Sequence, residues 1–492
     1  MSNGNVFKQP KPFYLIFSIE FWERFGFYGM QAILTVYMVK ILGMSESATF
    51  TLFGAFTALV FGSVAIGGWV GDKILGTKRT IHLGAIILTV GYALLGLSAS
   101  SHYGDTSLIY IAMGFIAMGN GLFKANPSSL LAKTYGENDP RLDGAFTMYY
   151  MAVNLGSFFS ILLTPWIAEN FGYSFAFGVS AAGLVITITN FIISGKIVKH
   201  IGSKPDMRPV NRTHYLGILI GAIILSFISS ILLQHLFYAH LILIIVGIII
   251  VFLYFRELFL SHDLERAKMI VAFLLMLQGV IFFVPFLQMP TSVNFFAIHN
   301  VSHDLFGFSV APEQFQALNS LWVMAVSPML AIIYNKYGDR FAMPFKFAIG
   351  MVFSSFSFLV LVLGAHFANS DGIISSNWLV LSYIFQAVGE LLVSGLGLAM
   401  VAQLIPQRMM GFAMGMWFLT LATAAVFAGW VATLTAAPAG IINPHQTLAL
   451  YKHIFSFIGY TTAVIAVLTL ITAPLLTRII RGESKETKVV FV

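Results

Sequence analysis

Fourteen apolar segments of about 20 residues or more, separated by short polar loops, constrain this chain more than any other feature of its sequence. They lie near 13–39, 47–71, 80–100, 107–132, 144–168, 173–197, 213–234, 238–255, 268–298, 313–335, 344–367, 377–404, 410–435 and 453–477. Inside a bilayer every backbone N–H and C=O must be bonded within the protein, and segments of this length satisfy that as helices. The expectation is an all-α membrane protein with 14 transmembrane helices. Composition agrees: 58% of the 492 residues are hydrophobic and 10% charged, against about 25% charged in soluble domains. Without cysteine there is no disulfide framework, thiol nucleophile or thiolate metal site. The 12 histidines are scattered without the spacing of a metal-ligand set. The first segment carries charges and no A-x-A-like cleavage site, so it reads as a retained span and not a signal peptide.

The net charge of +7 does not point to nucleic acid, because the basic residues are dispersed among short loops. Of the 27 Lys and Arg, Arg24 and Lys124 lie within spans, and Lys40 and Lys452 lie on one side of the membrane. The remaining 27 − 4 = 23 fall on the other side. The positive-inside rule places both termini in the cytoplasm.

The first span holds Glu20, Glu23 and Arg24 in its middle. With Phe27, Tyr28 and Gln31 they recur at intervals of three and four, which puts all six on one helical stripe. The opposite face (Leu15, Ile19, Trp22, Phe25, Ile33, Val36) is apolar and suits lipid or packed helices. A charge at bilayer depth costs at least about 2.5–3.5 kcal/mol, so three in five residues must pair or meet water. A hydrophilic pathway through the membrane is the reading that follows.

Other spans bring polar groups to similar depth. The fourth contains Gly119-Asn120-Gly121-Leu122-Phe123-Lys124-Ala125-Asn126-Pro127. Pro127 removes a backbone donor and can kink the helix, and the glycines permit close helix contact. Lys124 needs an anionic partner, for which the glutamates of the first span are the obvious candidates. Tyr149, Tyr150 and Asn154 mark the fifth span; Asn126 and Asn154 suit either ligand binding or helix-to-helix bonding. Glu390, in the run Gly389-Glu390-Leu391, is a carboxylate with no basic residue nearby before Arg408. It must be protonated, hydrated or awaiting a cationic ligand.

An internal repeat is also visible. Gly71-Asp72-Lys73 follows the second span, and Gly338-Asp339-Arg340 follows the segment 313–335. With 213–255 set aside as an inserted hairpin, six spans remain on each side. The divisions expected are 1–200 for an N-terminal bundle, 201–262 for a linker and hairpin, and 263–492 for a C-terminal bundle and tail. Two related halves are a common plan among secondary transporters. With the loop pattern G-x-x-x-D-[KR]-x-x-G at Gly68, Asp72, Lys73 and Gly76, the chain resembles the major facilitator superfamily.

Glu20-Phe21-Trp22-Glu23-Arg24-Phe25-Gly26-Phe27-Tyr28 narrows the resemblance, for it is similar to the E-x-x-E-R-F-x-Y-Y motif of proton-dependent oligopeptide transporters. The likeness continues through Gly67-Gly68-Trp69, Phe123–Leu130, Asp143–Gly156, Gln288 to Phe296 and Gly389–Pro406, and includes the hairpin of bacterial members. It implies the major facilitator fold, two six-helix bundles plus that hairpin. It implies that Glu20, Glu23 and Arg24 link proton movement to substrate, with Lys124 as their salt-bridge partner. By the same resemblance Arg24, Lys124 and Tyr28 receive the peptide carboxylate, Asn154, Asn319 and Glu390 surround the amine, and Trp417 lines the side-chain pocket. Phe27, Phe61 and Gln288 complete the expected substrate-binding set.

Several positions depart from the family pattern. Phe27 and Phe61 stand where Tyr is usual, which deletes a hydroxyl and keeps an aromatic wall. Gln31 and Leu287 replace an Arg and an acidic residue that form an outer-gate ion pair in many relatives. Ser320 stands for a Pro, and Leu421 for a small polar group. The resemblance implies a proton-coupled symporter importing di- and tripeptides across a bacterial inner membrane, in contact with lipid; a monomer is the expectation for the assembly. No cofactor beyond the proton gradient is expected. A proton-driven drug or metabolite exporter, or a peptide sensor that does not transport, are the alternatives. An intramembrane enzyme is not expected, since H-E-x-x-H and G-x-S-x-G are absent.

Overall fold

The computed structural model describes residues 9–100, 106–135, 139, 141–337, 341–437 and 443–482. The second loop of the repeat, Gly338-Asp339-Arg340, lies outside them. The helices in chain order are α1 (Lys11–Lys40), α2 (Glu46–Lys73), α3 (Thr77–Ser100), α4 (Thr106–Lys124), α5 (Asn126–Ala132), α6 (Leu142–Phe171), α7 (Tyr173–Ser194) and α8 (Arg212–Gln234). They continue as α9 (Leu236–Leu260), α10 (Asp263–Phe286), α11 (Asn294–Asn300), α12 (Ala317–Tyr337), α13 (Met343–Gly364), α14 (Asn377–Leu404), α15 (Met410–Thr433) and α16 (Pro444–Arg481). A two-stranded hairpin, β1 (Asp304–Leu305) with β2 (Phe308–Ser309), precedes α12. Thirteen helical stretches among the described residues are long and apolar enough to cross a membrane. The 30-residue α1, with its three central charges, is the remaining membrane-length helix.

The expected segments recur with two instructive differences. The fourth span breaks at Ala125, two residues before Pro127, and α5 completes the crossing. Pro127 has no N–H for the Phe123 carbonyl, so the helix is interrupted where the sequence anticipates it. The last helix starts at Pro444, nine residues before the apolar segment expected from 453. Asn443 caps it, its side chain accepting from the His445 N–H at 3.0 Å, and Pro444 supplies a pre-set φ at the first turn. His445, Gln446 and Lys452 hide this entry from hydropathy, although Thr447 and Tyr451 on the same turns are buried.

The chain divides into two compact units, Met1–Ala239 with Ala311–Leu321, and His240–Val310 with Trp322–Val492. In the first, α1 packs chiefly against α6 and α7, so its apolar face meets protein and not lipid. The α4 helix is held between α2, α3 and α8. Gly67 allows the closest of these approaches: a Cβ there would overlap the Gly121 carbonyl and lie 2.6 Å from Leu122 Cα. In the second unit α13 packs on α14 and α16, and α10 on α15. The inserted hairpin is shared, with α8 on α4 and the later part of α9 tied to α10 by a Tyr254 hydroxyl donating to the Met269 carbonyl at 2.7 Å.

The cytoplasmic-type loop after α2 is built with help from far along the chain. Gly76 turns it with φ +101°, a backbone state that favours glycine. The first N–H groups of α3 then receive their acceptors from the segment before the hairpin. Ser203 Oγ accepts from Thr77 at 3.1 Å and the Asp206 carboxylate from Lys78 at 3.2 Å. Arg79 donates to the Pro205 carbonyl at 3.1 Å. This is helix capping supplied by a remote strap, and helix N-termini otherwise leave such donors unsatisfied. Asp206→Ala is expected to lower stability by about 1–2 kcal/mol. It would register as a lower unfolding temperature in detergent; an unchanged Tm would show that the strap does not cap α3.

Candidate functional site

Glu20, Glu23 and Arg24 are buried in the first unit, at 3%, 0% and 2% exposure. Their helical spacing does the assembling. Arg24 Nε lies 3.4 Å from Glu20 Oε1 one turn earlier, while its guanidinium also pairs with the adjacent Glu23. On α4, Asn120 Nδ2 donates to Glu23 Oε1 at 3.2 Å. Tyr149 of α6 approaches Glu20. Two carboxylates against one guanidinium leave the triad one negative charge in excess when all three ionise.

Lys124 does not pair directly with those glutamates. Among the described residues it makes no ion pair within 4 Å; its Nζ sits 4.4 Å from the centroid of the Phe61 ring. Arg24 reaches the carboxylates from the same helix and occupies them first. Lys124 ends α4, where the helix dipole favours a cation. Phe27 is likewise set against a cation, with Arg24 Cζ 5.4 Å from its ring centroid. Phe27 and Phe61, where the resemblance expects tyrosine, therefore both present an aromatic ring to a cation. Tyr28, half-buried, adjoins Phe27 edge to face.

The remaining expected residues fall into separate neighbourhoods. Asn154 donates to the Tyr150 carbonyl of its own helix at 2.9 Å. Asn126 joins helices, donating to Gly67 of α2 at 3.1 Å. Asn319 lies buried at the start of α12, next to Ser320, whose hydroxyl meets Ser157 of α6 at 2.7 Å. Gln31 is half-buried, with its Oε1 lacking a hydrogen-bond partner among the described residues. Gly68 packs against Ala125, Lys73 is exposed, and Asp72 pairs with Lys133 at 2.9 Å across the base of α2 and α5.

In the second unit Gln288 sits in the break between α10 and α11. Its amide donates to Val284 at 3.1 Å and Ala428 at 3.0 Å, and its oxygen accepts from Ser292 at 2.6 Å. Pro290 has no N–H for the Phe286 carbonyl, which accepts instead from Gln386 Nε2 of α14 at 3.2 Å. Leu287, just before it, is buried. Trp417 is packed edge-on against Phe283 and Phe347, and Leu421 is half-buried one turn on. Glu390 is half-buried on α14 beside Gly389, which touches α13 at the Gly350 carbonyl. Among the described residues no group of three or more His, Asp or Glu could hold a metal ion.

Sequence reasoning passed over Asn120 and the Ser203–Asp206 strap. Asn120 lies four residues before Lys124, hence on the same face of α4, and that spacing was the available signal. The strap had none, because capping at that distance depends on tertiary placement.

A many-span helical protein with ionisable groups buried among its helices is a membrane transporter in class. Comparison with known proteins narrows this. Residues 78–448 match the PTR2 profile, described as the POT family. The chain is 59% identical over 479 residues to a dipeptide and tripeptide permease A of Chromobacterium violaceum, covering 97% of this chain and 96% of that one. A protein of the same description from Serratia proteamaculans is 56% identical, with 98% and 95% covered. Among solved structures, tetrameric PepTSo2 superposes with a TM-score of 0.85 at 39% identity, covering 95% of this chain and 98% of that one. The peptide transporter POT in complex with sulfate gives 0.81 at 27% identity, with 96% of each chain covered. The chain belongs to the POT family of membrane transporters, and it is not an enzyme.

Proposed function

We propose that this protein imports di- and tripeptides by proton symport across a bacterial cytoplasmic membrane, with both termini inside. The observation that carries the reading is the buried Glu20–Glu23–Arg24 cluster, whose charge changes with one proton. Its relatives named as dipeptide and tripeptide permeases support the substrate class. One charge crossing 100 mV releases about 2.3 kcal/mol, enough for roughly fifty-fold accumulation of a neutral substrate. Glu20, Glu23, Arg24 and Lys124 carry the coupling in this reading. Arg24, Tyr28 and Lys124 receive the peptide carboxylate, Asn154, Asn319 and Glu390 the amine, and Phe27, Phe61, Gln288 and Trp417 line the site. Gln31 and Leu287 stand at the outer gate without its usual charges, and the functional unit is one chain.

The test is uptake of labelled dialanine into proteoliposomes, with and without an inward proton gradient. Accumulation above the external level only with the gradient is expected. Binding without uptake would favour a sensor, and outward movement an exporter. Glu390→Gln is expected to cut transport of free-amine dipeptides at least about tenfold, since it removes a charge-assisted bond worth about 1.4 kcal/mol or more. An N-acetylated dipeptide should be far less affected. Equal losses for the two substrates would show that Glu390 does not read the amine.

A further inference from the structure

Asn120, beside the charge cluster, is bonded at one end and unsatisfied at the other among the described residues. Its side chain is fully buried on α4. Nδ2 donates to Glu23 Oε1 at 3.2 Å, while Oδ1 is buried with no hydrogen-bond partner among the described residues. The α4 backbone cannot move this amide away. Gly121 and Leu122 are pressed against Gly67, and a Cβ on Gly119 would lie 2.7 Å from the Leu88 nitrogen of α3. The amide is therefore held beside one carboxylate oxygen by a rigid helix contact.

A carboxylate only accepts hydrogen bonds, whereas a carboxylic acid also donates. Most partners suit one state and not the other. The Arg24 guanidinium, which only donates, suits the carboxylate. A primary amide carries a donor and an acceptor at nearly the same distance from its pivot, so a half-turn about its last torsion exchanges them. The orphaned Oδ1 is what that half-turn would bring to Glu23.

We propose that Asn120 is a positioning residue for proton coupling: it donates to Glu23 as a carboxylate and, turned over, accepts from Glu23 as an acid. The proton arrives from the external solution, forms the O–H bond at Oε1, and leaves to the cytoplasm when that bond breaks. Asn120 itself neither gains nor loses one. Lining both states removes the unsatisfied polar group that protonation would otherwise leave in a dry site. The other titratable groups facing Glu23 are Glu20 and Arg24 on α1, Tyr92 on α3, Lys124 on α4 and Tyr149 on α6. The Tyr92 hydroxyl is also buried without a hydrogen-bond partner among the described residues.

The inference rests on the proposed role of Glu23 in coupling. Asn120→Gln keeps an amide that donates and accepts, on a side chain one methylene longer, and Asn120→Val can do neither. In liposomes with labelled dialanine, Asn120→Gln is expected to accumulate substrate within about threefold of wild type, and Asn120→Val at least about fivefold less than Asn120→Gln. Counterflow, which needs no net proton movement, should fall less than about threefold in either. The pH of half-maximal uptake should move by about half a unit or more in Asn120→Val, upward if the bond to the carboxylate was the stronger of the two lost and downward if the bond to the acid was. If Asn120→Val is not recovered folded, Asn120→Ala carries the same expectations. Equal accumulation and equal pH profiles for Val and Gln would overturn the proposal, as would parallel loss of accumulation and counterflow in both. Glu23→Gln separates the two levels. Wild-type accumulation there would overturn the coupling role of Glu23 itself, whereas a dead Glu23→Gln beside a normal Asn120→Val would overturn only the role of Asn120.

Discussion

Glu20→Gln, Glu23→Gln and Lys124→Ala are each expected to abolish accumulation of dialanine against its gradient. Glutamine fixes the carboxyl in an uncharged form, so the triad loses the site at which a proton changes its charge. With coupling gone, a proton gradient no longer lifts the internal level, and the ratio falls from roughly fifty toward one at 100 mV. Lys124→Ala acts differently, by removing the cation held over Phe61 and with it the competition for negative charge at the end of α4. Counterflow without a gradient should survive in part. The measurement is the internal-to-external ratio of labelled dialanine in proteoliposomes, scaled to reconstituted protein. Wild-type accumulation in any of the three would remove that residue from the coupling machinery.

The fold was legible because the bilayer leaves the backbone few options. A segment of about 20 apolar residues must be helical there, and every expected segment has a helix in the structure. What hydropathy missed was governed by local chemistry that it does not weigh, such as the Asn443 cap that begins α16 among polar residues. The site was legible as a stripe on α1, since spacing alone sets which residues share a helical face. Its pairing was not. Whether Arg24 or Lys124 takes the carboxylates depends on side-chain reach: Arg24 is on the same helix, and Lys124 lies beyond Asn120 at the end of α4.

The substitutions at Phe27 and Phe61 show the same limit. From sequence they are deletions of a hydroxyl, which predicts a drier pocket. In the structure both rings lie near cations, an attraction worth about 0.5–2 kcal/mol or more. A tyrosine ring would offer a similar face, so the loss of the hydroxyl and the cation contact are independent consequences of one position. Gln288 shows the reverse case. Its amide bonds backbone and Ser292 within a broken helix, a structural employment that a binding-site motif does not reveal.

Arg24→Leu should be more damaging to folding than to any single substrate contact, and the triad shows why. Glu23 is fully buried and Glu20 nearly so, and the leucine would leave both without their guanidinium. Removing one partner of a buried ion pair costs about 3–5 kcal/mol. For units of this size that corresponds to a fall in Tm on the order of 10 °C. The penalty falls on the ionised carboxylates, so it should shrink as pH is lowered and their acid forms, which need no counter-ion, take over. Glu20→Gln, Glu23→Gln and Arg24→Leu combined removes every charge of the triad while keeping the volumes similar, and leaves Lys124 over Phe61. Replacing a whole buried ion cluster with neutral groups is often neutral for stability, so the triple variant should regain most of the lost Tm while remaining unable to accumulate peptide. Thermal unfolding in detergent across pH, read beside proteoliposome uptake, separates the two effects. A single variant as stable as wild type would mean that water or another cation compensates the glutamates. A triple variant no more stable than the single one would mean that Arg24 is needed for its packing, and its charge is incidental to the fold.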